Sequence, residues 1–189
     1  MATRVLGVDP GLTRCGAGVI ELGQSRKVTL VKVDTFQTSA STDLSERIGV
    51  IGASIEQLIL ETKPQAIAIE RVFSQQNLRS VMGVAQISGV VLLLAHQHGI
   101  PVFMHTPSEV KAAVTGSGRA NKIQVGNMVA KILGLSEVPK PADAADSLAI
   151  AICHAWKSAG GTAPLSKELT PAQKAWHKAE QIATASKRR

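Results

Sequence analysis

A chain of 189 residues that is 44% apolar can bury one real core and carry a short appendage. Its richest apolar run, Gly89 to Ala95, is far too short to cross a bilayer, and Asp9 and Arg14 break up what would be the apolar region of a signal peptide, so a soluble, cytoplasmic protein with no membrane contact is expected. The formal net charge of +7 points to an acidic partner and excludes an acidic, solvating chain.

That charge is unevenly spread. From Arg71 to Lys131, six basic residues face a single acid, Glu109, and from residue 160 onward six face two, whereas the first seventy residues are slightly acidic. A basic middle beside acidic spots suits a polyanion gripped along its backbone while a few carboxylates act locally. A merely solvated surface would have the same composition. Two cysteines, Cys15 and Cys153, lack metal-ligand spacing and read as free, buried thiols in a reducing compartment.

In chain order, Arg4-Val5-Leu6-Gly7-Val8-Asp9-Pro10-Gly11 reads as a buried strand that Pro10 and Gly11 end, with a carboxylate at its rim. Cys15 to Leu22 and Val28 to Phe36 follow as strands, the second alternating Thr29, Val31, Val33 and Thr35 against Leu30 and Lys32, which predicts an antiparallel meander. Asp43-Leu44-Ser45-Glu46 has capping-box spacing, and Leu44, Ile48, Ile51, Ile55, Leu58 and Ile59 predict an amphipathic helix from Leu44 to Glu61. Pro64 stops it, and Gln65 to Glu70 forms a short buried strand ending in a second acid.

A long apolar pattern predicts a helix from about Gln76 to His98, with Gly83, Ala85, Ser88 and Gly89 small enough for a neighbouring helix to approach. Pro101 to Thr106 is a fifth strand, and Thr106-Pro107-Ser108-Glu109 is a second capping box with proline at the first helical position. Gly116 to Ala120 is a basic loop, Asn121 caps a helix through Leu133, and a final helix runs from about Ala142 to Trp156. Strands followed by strand and helix alternation predict an α/β domain over residues 1–157, with a five-stranded mixed sheet covered by helices on both faces. Residues 158–189 read as a linker and a basic, flexible tail.

The chemistry lies in four acids. Asp9 ends the first strand, Glu70 the fourth, and Asp143 and Asp146, three residues apart, share one face of the last helix. If the first and fourth strands are neighbours, the acid-bearing ends lie side by side and the helix can pack across them. Such a cluster repels itself unless divalent cations hold it, and hard oxygen ligands suit Mg²⁺ or Mn²⁺. Two ions roughly 3.5 to 4 Å apart would serve phosphodiester hydrolysis. Structural roles compete with this: Asp9 as a turn cap, Asp143 as a helix N-cap, Asp146 as a complement to the helix dipole. Glu70 is harder to give a purely structural role, since the rest of its strand is core-like. Arg79 and Arg119 are candidate DNA contacts by charge and location. His96, His98 and His105 read as structural or exposed, and His154, about three turns from Asp143, is not read as a ligand.

Gly7-Val8-Asp9-Pro10-Gly11, Ala68-Ile69-Glu70-Arg71-Val72-Phe73, Thr115-Gly116 with Lys122, and the run from Ala142 to Ala151 resemble, in this order and spacing, the bacterial RuvC family of Holliday junction resolvases. The resemblance spans about Val5 to His154. It implies a ribonuclease H-like fold, a homodimer, and an endonuclease that nicks two strands symmetrically across a four-way DNA junction, in recombination and repair. It implies metal ligation by Asp9, Glu70, Asp143 and Asp146, branch-migration partners RuvA and RuvB, and a junction-facing aromatic at Phe73 on which a base can stack. Lys111 and Lys122 match basic positions of the family pattern, expected to contact phosphates or stabilise charge developing near the metals. Two other readings remain: an actin-like ATPase or sugar kinase, for which Gly116-Ser117-Gly118 is a poor phosphate loop, and a non-catalytic junction-binding module, which has no use for four convergent acids.

Overall fold

The computed structural model describes residues 3–71 and 78–159. Strands β1 (Thr3–Asp9), β2 (Arg14–Leu22) and β3 (Val28–Gln37) form the antiparallel meander, and β4 (Ala66–Glu70) and β5 (Val102–His105) extend the sheet in parallel, giving the order β3-β2-β1-β4-β5. Helix α1 (Leu44–Thr62) joins β3 to β4 and α2 (Leu78–Gln97) joins β4 to β5; α3 (Pro107–Thr115), α4 (Lys122–Leu133) and α5 (Ala142–Ala159) follow the last strand.

β1 is buried on both faces, which explains its nearly unbroken apolar run. Val5 packs with Ile20, Ala68, Val129, Leu148 and Ile152 on the side of α3, α4 and α5, while Leu6 and Val8 pack with Val19, Ile51, Ile55, Ile69, Ile87 and Val91 on the side of α1 and α2. By that alternation Gly7 and Asp9 share the α5 side with Val5. Full burial of one such aliphatic side chain is worth about 1.5–3 kcal/mol, so the two half-cores fix the register of β1 and therefore the direction of Asp9.

Three glycines let α5 lie unusually close. A Cβ on Gly7 would collide with the Ser147 carbonyl oxygen, one on Gly16 with the Asp143 carbonyl oxygen, and one on Gly18 with the Leu148 side chain. Gly7 pairs with Gly18 and Asp9 with Gly16, so the glycines form one patch on the α5 side of the sheet. The helix presents small residues in return: Ala144, Ala145, Ser147, Ala149 and Ala151 are all buried. Gly16→Ala should displace the first turn of α5, costing about 1–3 kcal/mol or more as overpacking does. Urea unfolding should show a lower midpoint at unchanged slope, and cleavage by the folded fraction should fall as well, because Asp143 moves with the helix.

Several local expectations are corrected. Asp43 sits at the N-cap of α1, but its side chain bonds no backbone N–H there, so the capping box is not formed. The Thr106–Glu109 box does form, and α4 opens with a further one in which Asn121 and Gln124 exchange bonds. Gly83 makes room for Leu12 of the β1–β2 turn, and the close helix approach is made by Gly52 of α1 against Val90. Asp143 is the second residue of α5 and therefore not its N-cap. Both cysteines are free and buried.

Candidate active site

Asp9 is the last residue of β1, and the parallel register Val8↔Ile69 puts Glu70, one residue further along β4, beside it. The close seat of α5 over Gly16 brings the first turn of that helix to the same edge. All four acids interact. Partial burial first, then the charges of Asp146, Glu70 and Asp143, push the Asp9 carboxyl up to about 7 against a lowering by Lys122. Burial, then Asp146, also raises Glu70, while Lys122 and Lys111 pull it down. A carboxyl held so far above its ordinary range marks charge crowding that a cation would relieve.

Two basic side chains relieve part of it. Lys122, the first residue of α4, donates from Nζ to Asp146 Oδ2 at 2.9 Å, and that bond raises the lysine's own pKa. Arg14, the first residue of β2, places Nε 3.1 Å from Asp143 Oδ2. Among the described residues no three His, Cys, Asp or Glu side chains stand close enough to enclose one ion. The donor set itself suits a hard divalent cation: four carboxylates on rigid elements, without thiolate or imidazole. The Arg14 and Lys122 side chains are themselves exposed and free to turn into solvent, whereas Asp143 and Asp146 are mostly buried.

The other expected residues divide. Lys111 on α3 is near enough to Glu70 to lower its pKa. Arg119 is exposed and lines a separate shallow groove with Thr115, Ser117 and Gln124, away from the acids. Phe73 lies outside the described residues, as does the side chain of Arg79 in the first turn of α2. The histidines stay out of the site: His98 bonds Glu56 at 3.1 Å, and the buried His105 and His154 meet each other at 3.3 Å beneath Phe103. Arg14 was missed as a site residue in the sequence reading. Its one available signal was position, five residues after Asp9 across a tight turn.

A five-stranded mixed sheet in this order, with acids gathered from β1, β4 and the covering helix at one edge, defines a nuclease of the ribonuclease H-like class. Comparison with known proteins agrees. The sequence model of the family described as crossover junction endodeoxyribonuclease RuvC matches residues 5–154, and the chain belongs to that family. The crossover junction endodeoxyribonuclease RuvC of Leifsonia xyli subsp. xyli is 55% identical over 196 residues, covering 96% of this chain and 93% of its own. That of Paenarthrobacter aurescens is 56% identical, with 95% and 96% covered. Among solved structures, Thermus thermophilus RuvC in complex with a Holliday junction substrate superposes with a TM-score of 0.79 at 36% identity, covering 82% of this chain and 94% of that one. The described residues include no helix long and apolar enough to cross a membrane.

Proposed function

We propose that the chain is a metal-dependent, structure-selective endonuclease that resolves four-way DNA junctions by paired symmetric nicks, in recombination and repair. The observation that carries this reading is the convergence of Asp9, Glu70, Asp143 and Asp146 at one sheet edge, with Asp9 pushed up to about 7 by burial and by the other three. A non-catalytic binding module would gain nothing from that crowding. It would lose affinity for DNA through it.

Asp9, Glu70, Asp143 and Asp146 would hold divalent cations, Mg²⁺ with Mn²⁺ as a substitute and two per site. When bound, such ions supply Lewis-acid stabilisation of the charge that develops as the phosphodiester breaks and generate the nucleophile from water at neutral pH. Strands β1 and β4 fix the first two carboxylates through the core beneath them, while Asp143 and Asp146 reach the site from α5. Lys122, drawn off Asp146, is placed to neutralise charge on the scissile phosphate, and Lys111 near Glu70 supports the negative strand. Phe73, three residues past Glu70, is assigned to base stacking at the junction centre.

Two coordinated nicks need two sites, hence a homodimer. Leu92 and Leu93 leave apolar surface exposed along α2, the face on which we seat the second copy. RuvA and RuvB are proposed as partners by family membership, and residues 158–189 as a basic tail to the nuclease domain at 1–157. The test is incubation of the full chain with a synthetic four-way junction and a matched linear duplex, with and without Mg²⁺. Paired nicks at the junction alone, dependent on Mg²⁺, are expected. Equal cutting of the linear duplex would overturn junction selectivity, and cutting in excess chelator would overturn the role of the acids.

A further inference from the structure

A groove of about 690 Å³ opens beside Asp143, between the β1–β2 turn, the end of β3, the start of α1 and the outer turns of α2. Among the described residues its polar lining consists of Thr13, Arg14, Gln37, Thr38, Arg47 and Gln86, and its one acid is Asp143, which Arg14 already pairs. The four-acid cluster leaves this groove unassigned. Resting on the nuclease reading above, we propose that it is a phosphate subsite: it receives a backbone phosphate of the strand being cut, next to the scissile one, with Arg47 as its fixed cation and Arg14 as an exchangeable one.

Arg47 carries the argument. It projects from the first turn of α1, donating from Nε to Thr38 Oγ1 at 2.9 Å and from a terminal nitrogen to Thr13 Oγ1 at 2.9 Å. Thr38 in turn donates to the Leu12 carbonyl oxygen at 2.6 Å, so the guanidinium is locked in place by neutral acceptors. Those bonds use two of its five N–H donors. Among the described residues no carboxylate comes within ion-pair distance of it. A half-buried, oriented guanidinium without a counterion, facing a concavity of hydroxyls and amides, is built for an anion, and its planar fork matches phosphate oxygens.

Arg14 differs in kind. Its side chain is 59% exposed although Asp143 is only 19% exposed, so a divalent cation that competes for the Asp143 carboxylate can turn the arginine away. Loading the acid cluster therefore frees Arg14 toward the groove it lines. Thr13, Gln37 and Gln86 can donate or accept along the same path, which suits a backbone read without regard to base sequence.

The experiment uses the full-length Asp9→Asn chain, which is expected to bind without cutting, and adds Arg47→Gln, Arg47→Lys or Arg14→Gln. Binding of a fluorescent four-way junction is followed from 50 to 200 mM salt at a fixed millimolar Mg²⁺ concentration, so that Arg14 is drawn off Asp143. Each glutamine variant should weaken binding about 3- to 10-fold and lower the slope of log affinity against log salt by about 1, equally for junctions of different sequence, while Arg47→Lys keeps the slope. Melting temperatures should match the Asp9→Asn chain. Unchanged slopes in both glutamine variants overturn the subsite, as does an affinity loss at Arg47 that tracks lost folding stability while Arg14→Gln binds normally. If the Asp9→Asn chain itself prefers no junction over linear duplex, the nuclease reading falls first and takes the subsite with it.

Discussion

Asp9→Asn should leave junction binding intact and slow Mg²⁺-dependent cleavage by on the order of 10³-fold or more, a loss of about 4 kcal/mol of transition-state stabilisation. The substitution preserves size and shape, so the half-cores on either side of β1 are untouched and the folded population is unchanged. What disappears is the central charge of the acid cluster, since Asp9 is the residue that feels Asp146, Glu70 and Asp143 together. Binding should hold or tighten, because affinity for a polyanion comes from phosphate contacts and the variant removes a negative charge facing the strand. Asp146→Asn should behave in the same way while releasing Lys122, whose bond to Asp146 is 2.9 Å. Rates from single-turnover cleavage and dissociation constants measured in chelator separate the two effects. Cutting by either variant at the parent rate would remove these residues from the catalytic machinery.

Much of this arrangement is legible in the amino-acid sequence because it is built from local patterns. The strand ending Val8-Asp9-Pro10-Gly11, the buried run ending in Glu70 and the two aspartates three residues apart each announce a carboxylate at an element's end. Alternation and helical period supply the strands and the covering helices, while the adjacency of β1 and β4 that brings Asp9 and Glu70 together was only a condition of the reading and is met by the fold. Capping was legible in part: Thr106 and Asn121 form their boxes, whereas Asp43, with the same spacing as Thr106, does not.

What escaped the sequence depends on contacts across long separations. Arg14 reaches Asp143 only because Gly16 admits the start of α5 against β2, and no local spacing encodes that approach. Glycines 7, 16 and 18 look like ordinary strand residues until the register places them on one patch beneath an alanine-rich helix. Arg47 carries no motif at all. Its partners Thr13 and Thr38 belong to two different strand ends, so its role emerges only when the meander folds. Arg119, a candidate by charge and location, lines a groove of its own with Thr115, Ser117 and Gln124, which its sequence position did not indicate.

The same crowding that equips the site should cost the metal-free protein stability, and the cost should depend on pH in a defined direction. An aspartate titrates near 3.8 when unfolded, and Asp9 is raised to about 7 in the fold, so the native state holds a proton that the unfolded state has lost. Below about pH 4 both states are protonated and the site is neutral toward folding. As pH climbs from 4 to 7 the penalty grows, and above 7 it levels off at on the order of 3 kcal/mol, less whatever water screens at a partly buried carboxyl. Glu70, raised for the same reasons, adds in the same sense. In excess chelator at pH 8, Asp9→Asn should therefore melt higher than the parent by roughly 5–10 °C, as expected for a few kcal/mol in a chain of this size. The gap should close near pH 4. Millimolar Mg²⁺ should raise the parent's melting temperature at pH 8 and move the variant's much less, because cation binding to the native state alone is stabilising and a neutral side-chain amide is a poorer ligand than a carboxylate. A parent that melts above the variant at pH 8 in chelator would mean that Asp9 is satisfied by protein contacts alone, and the case for a cation at this edge of the sheet would fail with it.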